Sequence, residues 1–533
     1  MKMGEMRREI MKRLFVFAMM LALMISGCGG GGEDKKQTGS PSPSDTLVVG
    51  MSMDLATLDP AVSMDNASWK ISYPCYDRLV KYKTENGKGS TEVEPMAAQS
   101  WEVTPDGKVW TFKLREDIKF HDGSPLNAQA VKFSFDRVLQ MAKGPADYFT
   151  TLDSVEAVDE YTVKFTLKEP FPPFLYTLAT SPGSIVNPKV MEHEKDGDMA
   201  SGWLGEHTMG SGAYELVEWN REQHLKLRAV ENYWGGQPQL KTILAKIVKD
   251  PSAQRLQLEN GDLDIAEGIP VDQLEKLKSN QDIKIIENPS LLVNYIYLNN
   301  QKKPLDNVKV RQALNYAIDY DGMIQGVMLG NATQVKGPIP EGLWGHDPNV
   351  KQYKLDLNKS KELLAEAGYP QGFTIKLLYA DYKPWWEQEA LIIQDNLSKV
   401  GVKVELEKLA WATLRDKVDR ADFDICLGVW SPDYADPHMF MNYWFDSENH
   451  GLAGNRAFYQ NSQVDQLLRE AARINDQEKR TELYRQVQNM VMEEAPYILL
   501  FQNNSLVPMR KNIEGYVYNP MLESMYNFEN MKK

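Results

Sequence analysis

Alternation of apolar and polar positions predicts strands through the first half of the chain. Residues 108–114 and 161–167 each carry apolar side chains at every second position, the period of a half-buried strand. Between them, residues 127–141 predict a helix, and Asn127 is suited to be its N-cap. We therefore expect this half to consist mainly of strands with a few helices.

From residue 292 onward, strand and helix patterns alternate. The predicted strands are 292–298, 373–379, 402–406, 423–430 and 497–501. The predicted helices are 307–318, 359–367, 386–399, 462–474 and 476–493. Such alternation is typical of βαβ units and predicts a mostly parallel sheet, at whose carboxyl edge small ligands usually bind.

The N-terminal pattern is that of an export signal. Basic residues precede an apolar run over residues 14–25, and Ile25-Ser26-Gly27-Cys28 closes the segment. Twelve apolar residues are too few to span a bilayer, which takes about 20. Cys28 stands where the bacterial lipobox carries its lipidated cysteine; the alternative is an ordinary secretory signal that contains a cysteine. Residues 28–44 are rich in Gly, Ser and Pro and predict a flexible tether.

Composition narrows the class of protein. The part after the tether, about 490 residues, is long enough to divide into more than one domain. The net charge of −14 argues against nucleic acid as a partner. Cys75 and Cys426 could form a disulfide, but we favour two buried thiols.

Motifs of catalysis are incomplete in this sequence. His193-Glu194 begins a zinc-protease pattern, but Gly197 stands where the second histidine is needed. Ser211 has glycines on either side, whereas a nucleophile elbow needs them two positions away. The seven histidines show no metal-ligand spacing. We therefore predict no enzyme, no metal site and no cofactor.

Three ordered stretches carry a family resemblance. Residues 98–135 contain Pro105-Asp106-Gly107 and Lys119-Phe120-His121-Asp122-Gly123; the other stretches are 261–313 and 423–437. Together they resemble the family 5 extracellular solute-binding proteins, the peptide and nickel receptors of ABC importers. The resemblance covers essentially the whole mature chain.

The resemblance implies an α/β, two-lobed periplasmic-binding-protein fold (type II, cluster C like) with an extra subdomain in the first lobe. The implied organisation is a lipoprotein signal peptide (1–27), a tether (28–44), lobe I (45–287, with the subdomain at about 66–204), lobe II (288–502) and a return to lobe I (503–533). Lobe closure around a ligand would allow docking on the permease.

Asp433 is the central site residue that the resemblance implies. In peptide-binding members, the aspartate that follows the tryptophan at this strand end pairs with the α-ammonium group of the ligand. An ammonium group removed from water needs such an anionic partner; the alternative is that Asp433 only forms a turn. The other expected ligand-binding residues are Trp430, Ser431, Tyr434, Trp411, Met53 and Leu55.

One departure from the family pattern bears on the ligand. Dipeptide receptors carry an arginine that clamps the terminal carboxylate, and counting back from residue 386 places Ala380 there, with Lys383 nearby. The sequence therefore favours longer peptides over dipeptides. Among the capping residues, we expect Asp306 and Asp436 to be helix N-caps and Gly368 to follow a helix end.

The sequence thus predicts a monomeric, lipid-anchored receptor at the cell envelope, which takes peptides or similar small polar solutes to ABC permease subunits. Its membrane contact would be the N-terminal lipid, and nucleic acid would not be a partner. Alternatives within the family are receptors for a nickel complex, an opine or another non-peptide solute. Outside it, the alternatives are an exported hydrolase or a signalling adaptor.

Overall fold

The computed structural model describes residues 45–523 and 525–533. The predicted signal peptide (1–27), Cys28 and the rest of the predicted tether (to residue 44) lie outside these residues.

The described strands are β1 (Thr46–Met51), β2 (Val80–Glu85), β3 (Lys88–Pro95), β4 (Ala98–Val103), β5 (Val109–Leu114), β6 (Leu152–Asp159), β7 (Thr162–Leu167), β8 (Tyr214–Asn220), β9 (His224–Ala229), β10 (Thr242–Ile247), β11 (Ile265–Ala266), β12 (Ile283–Leu298), β13 (Ala332–Gln334), β14 (Thr374–Ala380), β15 (Lys403–Leu409), β16 (Ile425–Trp430) and β17 (Tyr497–Arg510).

The described α-helices are α1 (Asn66–Ser72), α2 (Ala128–Met141), α3 (Phe174–Thr177), α4 (Ser201–Leu204), α5 (Pro251–Asn260), α6 (Val271–Leu277), α7 (Val308–Ala317), α8 (Tyr320–Met328), α9 (Leu357–Glu366), α10 (Trp386–Ser398), α11 (Trp411–Asp419), α12 (His438–Phe445), α13 (Ser462–Ala471) and α14 (Gln477–Glu494).

Two long strands, β12 and β17, connect the halves of the largest sheet. Its order is β15-β14-β16-β12-β17-β11-β1-β10-β9-β8, with β13 beside β17. The start of β12 pairs with the end of β17, from Ile283 opposite Arg510, in the half that contains β1 (the first lobe). The end of β12 pairs with the start of β17, to Tyr297 opposite Tyr497, in the half that contains β16 (the second lobe). Each strand therefore belongs to both lobes.

Regular pairing of β12 with β17 is interrupted where the strands pass between the lobes. The register shifts just after Pro289. Side chains replace part of the lost ladder there, since the amide of Gln502 donates to the carbonyl oxygen of Ser290. The predicted lobe boundaries, after residues 287 and 502, fall beside this interruption.

The prediction of a mostly parallel sheet is wrong. Only β1 with β10 and β11, and β14 with β15 and β16, pair in parallel in the described sheet. The strands β12 and β17 are antiparallel to each other and to their neighbours β16 and β11. Local alternation of helices and strands could not reveal this, because the partners are far apart in the chain. Both strands also extend well beyond their predicted bounds, 292–298 and 497–501.

Two smaller sheets lie between β1 and β8 in the chain: β2 with β3, and β4-β5-β7-β6. Helix α2 packs on the four-stranded sheet, where the rings of Phe135 and Phe165 meet edge to face with centroids 4.9 Å apart. Asn127 is the N-cap of this helix, as predicted, and accepts a hydrogen bond from the backbone N–H of Ala130 at 3.1 Å. Both sheets fall within the predicted subdomain, 66–204.

The first-lobe core forms around β1 and includes the chain's last residues. Val49 and Ile243, on the paired strands β1 and β10, are buried in it. Phe528 and Met531 are buried in the same core. The ammonium group of Lys533 lies 2.9 Å from the carboxylate of Asp264 and so fixes the chain end beside β11.

One predicted helix cap is wrong and one is confirmed. Helix α7 begins at Val308, so its N-cap is Asn307, which accepts a hydrogen bond from Lys309 N at 2.9 Å. Asp306 stands one residue too early for this role. Gly368 follows the end of α9 with a φ of +90°, the left-handed conformation that glycine favours.

Cys75 and Cys426 are buried, unpaired thiols, as we favoured from the sequence. Burial raises the pKa of each thiol to about 12. Among residues 45–523 and 525–533, no helix combines the length and the apolar character needed to cross a membrane.

A buried ion pair joins the loop after β1 to helix α2. The guanidinium of Arg137 donates to both carboxylate oxygens of Asp59 at 2.7 Å, and both side chains are almost fully excluded from solvent. Ser201 also donates to Asp59, at 2.7 Å. Because removing one partner leaves a buried charge uncompensated, the pair is sensitive to mutation.

Arg137→Met is expected to lower the free energy of unfolding by about 3–5 kcal/mol, measured by urea denaturation. The matched control on the same helix is Lys132→Met, which breaks an exposed pair with Asp136 (2.6 Å) and should cost less than about 1 kcal/mol. Equal losses for the two variants would contradict this account.

Candidate ligand-binding cleft

The loop that carries Asp433 leads from the end of β16 to the start of α12. It borders a cavity of about 670 Å³, within the range of small-molecule sites. Its lining includes Tyr148 and Phe171, from the segment that holds the four-stranded sheet, and Trp430, Asp433 and Tyr443 from the second half of the chain. The cavity, which we call the cleft, thus lies between elements far apart in sequence.

A second buried ion pair fixes this loop. Arg480, on α14, donates to both carboxylate oxygens of Asp436 at 2.7 and 2.8 Å, and to the carbonyl of Ala471 at 2.8 Å. Asp436 also accepts from the N–H of His438 at 2.9 Å, but the N-cap of α12 is Pro437, so the predicted N-cap role of Asp436 is wrong by one residue. Its bidentate partner Arg480 was not foreseen. The pair holds the loop three residues after Asp433.

Asp433 itself has no such partner. Its side chain forms no hydrogen bond or ion pair with any described residue and is exposed at the wall of the cleft. The protein atoms around it still displace enough water to raise the pKa of Asp433 to about 6. His438 gives no countercharge near neutral pH, since burial lowers its pKa to about 4. Asp433 is therefore an anion of the cleft without an ion-pair partner among the described residues.

Tyrosine side chains surround this carboxylate. Burial, and then the charge of Asp433, raise the pKa of Tyr148 and Tyr443. The hydroxyl of Tyr434 is engaged with His438 Nδ1 at 2.9 Å. The hydroxyl of Tyr148 is buried without a hydrogen-bond partner among the described residues.

Three buried hydrogen-bond donors of the cleft lack an acceptor among the described residues. Besides the hydroxyl of Tyr148, the Nε1 of Trp430 and the Nε of Arg456 are buried and lack a hydrogen-bond partner among the described residues. Leaving such a donor unpaired costs about 1–3 kcal/mol. A ligand with acceptor oxygens would therefore be stabilised here.

A second, smaller cavity shares Asp433 with the cleft. It measures about 60 Å³, and its lining includes Tyr82, Ser431 and Glu523. Burial raises the pKa of Glu523, and the positive charge of Lys383 opposes that shift. Asp433 therefore lies in the walls of both cavities, with a second acidic side chain in the smaller one.

The structure brings together four of the residues proposed from the sequence. Trp430, Asp433 and Tyr434 line the cleft, and Ser431 lines the smaller cavity. Trp411 lines neither, because it stacks on Tyr382 with ring centroids 4.3 Å apart.

Met53 and Leu55 lie apart from Asp433. They line a surface cavity with Arg221 and neither of the two cavities at Asp433. Asp54, between these two residues, accepts a hydrogen bond from Trp219 Nε1 at 3.0 Å. This bond holds the loop against β8, away from Asp433. Their expected role at the ligand finds no support in this placement.

Sequence reasoning missed several residues of the cleft. Tyr148, Tyr443, Arg415 and Arg456 line it, but no local motif marks them. Only the pairing of distant segments in the fold brings them beside Asp433.

Comparisons with known proteins agree with this architecture. The model of the bacterial extracellular solute-binding proteins, family 5 Middle, matches residues 92–451. The probable D,D-dipeptide-binding periplasmic protein DdpA of Escherichia coli (strain K12) is 48% identical over 492 residues, which cover 92% of this chain and 95% of that protein.

Two solved structures share the fold. HbpA2 from Haemophilus parasuis matches with a TM-score of 0.82 and 30% identity, over 91% of this chain and 99% of that chain. DppA from Helicobacter pylori, a periplasmic binding protein in complex with the peptide STSA, matches with a TM-score of 0.77 and 29% identity, over 91% and 98%.

A two-lobed α/β fold with a cleft between distant elements defines the class of substrate-binding proteins. This chain belongs to family 5 of the bacterial extracellular solute-binding proteins. The family resemblance drawn from the three sequence stretches is confirmed.

In NMR spectra of the carboxyl carbons, one aspartate is expected to titrate at about pH 6 and to be absent from Asp433→Asn, because desolvation raises this pKa from about 3.9. Asp147→Asn, which removes another carboxylate of the cleft, is the control and should retain the signal. A spectrum in which Asp433→Asn removes no titration between pH 5 and 7 would contradict this assignment.

Proposed function

We propose that this protein is the receptor of an ABC importer and that it captures small peptides, dipeptides foremost, in the cleft at Asp433. The observation that carries the proposal is the unpaired carboxylate of Asp433 in a cleft of small-molecule size. The α-ammonium group of a peptide supplies the missing cation. DdpA is named for a D,D-dipeptide and DppA was solved with a bound peptide, which supports this class of ligand.

The sequence preference for longer peptides is not carried into the proposal. It rested on Ala380 standing where dipeptide receptors have an arginine. The relative that is 48% identical is named for a dipeptide, which supports a short ligand instead. The carboxylate of such a ligand then needs a partner elsewhere in the cleft.

Ligand capture would act through lobe closure, with lobe I at 45–287 and 503–533 and lobe II at 288–502. A ligand that contacts both walls of the cleft favours the closed form. The strands β12 and β17 supply the connection, and their register shift at Pro289 offers a place to bend. Contacts between the walls already exist here, since Ala435 N–H donates to the hydroxyl of Tyr82 at 3.3 Å.

Lipid attachment at Cys28 would hold this receptor, as a monomer, near its permease at the cell envelope. The tether of residues 28–44 would let it reorient and would raise its effective concentration at the permease subunits. No cofactor enters this mechanism.

Asp433→Asn is expected to weaken the binding of the dipeptide Ala-Ala by 100-fold or more, measured by calorimetry with the L,L and D,D forms. The reason is that the ammonium group loses the carboxylate that we propose pairs with it. The control Asp147→Asn removes another exposed carboxylate of the same cleft and should bind normally. Unchanged affinity in Asp433→Asn would remove this residue from the site.

Ala-Ala affinity is expected to fall about tenfold between pH 7.5 and pH 5, because a carboxyl group of pKa about 6 is then mostly protonated in the free protein. The binding of the ammonium group lowers this pKa, so protons compete with the ligand. The termini of the peptide change little over this range, since they titrate near 3.5 and 8. Calorimetry across pH tests this, and the same slope in Asp433→Asn would contradict it.

A further inference from the structure

Four arginines line the cleft, and two of them lack an anionic partner. Arg469 is paired with Asp446 at 2.7 Å, and Arg473 with Glu169 at 2.8 Å. Arg415 and Arg456 also line the cleft, but neither forms an ion pair with a described carboxylate.

The two unpaired guanidinium groups lie close to each other. Burial and then the positive charge of Arg456 lower the pKa of Arg415. Like charges held together repel, so the pair is stabilised when an anion binds between or beside them. The Nε of Arg456 is in addition one of the buried donors without a hydrogen-bond partner.

Rigid elements hold both side chains. Arg415 projects from α11, which is fixed by the buried Leu414 and Val418. Arg456 follows Asn455, whose buried amide donates to the carbonyl of Tyr459 at 2.8 Å. Such fixation lowers the cost of ordering the arginines around a ligand.

Trp430 connects this pair to Asp433. The guanidinium of Arg456 lies 5.2 Å from the ring centroid of Trp430, the last residue of β16. Asp433 follows three residues later in the chain and lines the same cleft. The anion and the two cations are therefore placed around one end of one strand.

We propose that Arg415 and Arg456 bind the terminal carboxylate of the ligand, so that the receptor selects compounds with both a free ammonium group and a free carboxylate. This inference rests on the proposed function and names the ligand class more narrowly. A carboxylate accepts paired N–H donors from a guanidinium and satisfies the Nε of Arg456. It also explains how a dipeptide is held without an arginine at position 380.

Lys383 is the competing partner for that carboxylate. It lies over the ring of Tyr382, 4.7 Å from its centroid, and the charge of Glu523 acts on it. The charge of Glu523 acts on Lys383 as that of Asp419 acts on Arg415, so charge does not separate these candidates. Lys383 lines neither the cleft nor the smaller cavity, whereas Arg415 and Arg456 both line the cleft. This placement favours the arginine pair.

The test compares Ala-Ala with its C-terminal amide by calorimetry. In the unaltered protein, the amide should bind at least tenfold more weakly. Arg415→Gln and Arg456→Gln should each bind Ala-Ala at least tenfold more weakly and should bind the amide as the unaltered protein does. Arg456→Lys, which keeps the charge, should recover part of the affinity. The control is Arg420→Gln. Arg420 directly follows α11 and forms an exposed ion pair with Asp416, so this variant should bind Ala-Ala and its amide normally.

The outcomes separate this inference from the proposed function. If the unaltered protein binds Ala-Ala and its amide equally, while Asp433→Asn loses binding, the carboxylate assignment is overturned and the peptide site stands. If Lys383→Met abolishes the preference for the free acid and the arginine variants do not, the assignment to Arg415 and Arg456 is likewise overturned. If the unaltered protein binds neither form of Ala-Ala, the proposed function fails and the inference fails with it.

Discussion

The pairing of β12 with β17 is the constraint on which the two-lobed arrangement depends. Both strands extend from the first-lobe half of the sheet into the second, so a change in lobe orientation must be absorbed within this one ladder. The register shift after Pro289, where Gln502 hydrogen bonds to Ser290, is the irregular part of that ladder. The binding loop depends on the same pair, because β16, which ends at Trp430, is hydrogen-bonded along β12.

The cleft separates charges that hold the structure from charges left for a ligand. Asp436 is neutralised by Arg480 deep in the second lobe and thereby fixes the loop. Asp433, three residues earlier, forms no ion pair with a described residue, and neither do Arg415 and Arg456. All three side chains line the same cleft. Isolated charges in a partly desolvated site cost free energy that a bound partner of opposite sign recovers. The arrangement fits a zwitterion better than a neutral or singly charged solute.

Local sequence patterns predicted many of the helix and strand positions, whereas contacts between distant segments of the chain could not be predicted from them. Asn127 and Gly368 were assigned correctly because a helix cap depends on its immediate neighbours. The place of Asp433 in the wall of the cleft could be predicted because it follows a strand in a stretch that resembles the family. The pairing of Asp436 with Arg480 and the place of Tyr148 in the cleft depend on segments distant in the chain, which no local pattern connects. The place of Met53 and Leu55 in a separate surface cavity has the same kind of cause, since Asp54 ties their loop to the distant Trp219.

The central claim is that Asp433 binds the ammonium group of a small peptide. A crystal structure of the mature protein with Ala-Ala tests it most directly. We predict that the peptide nitrogen lies within hydrogen-bonding distance of the carboxylate of Asp433, about 2.7–3.2 Å, in the cleft lined by Trp430 and Tyr148. A peptide bound with its ammonium group on another carboxylate, such as Glu523, or bound outside this cleft, would contradict the account.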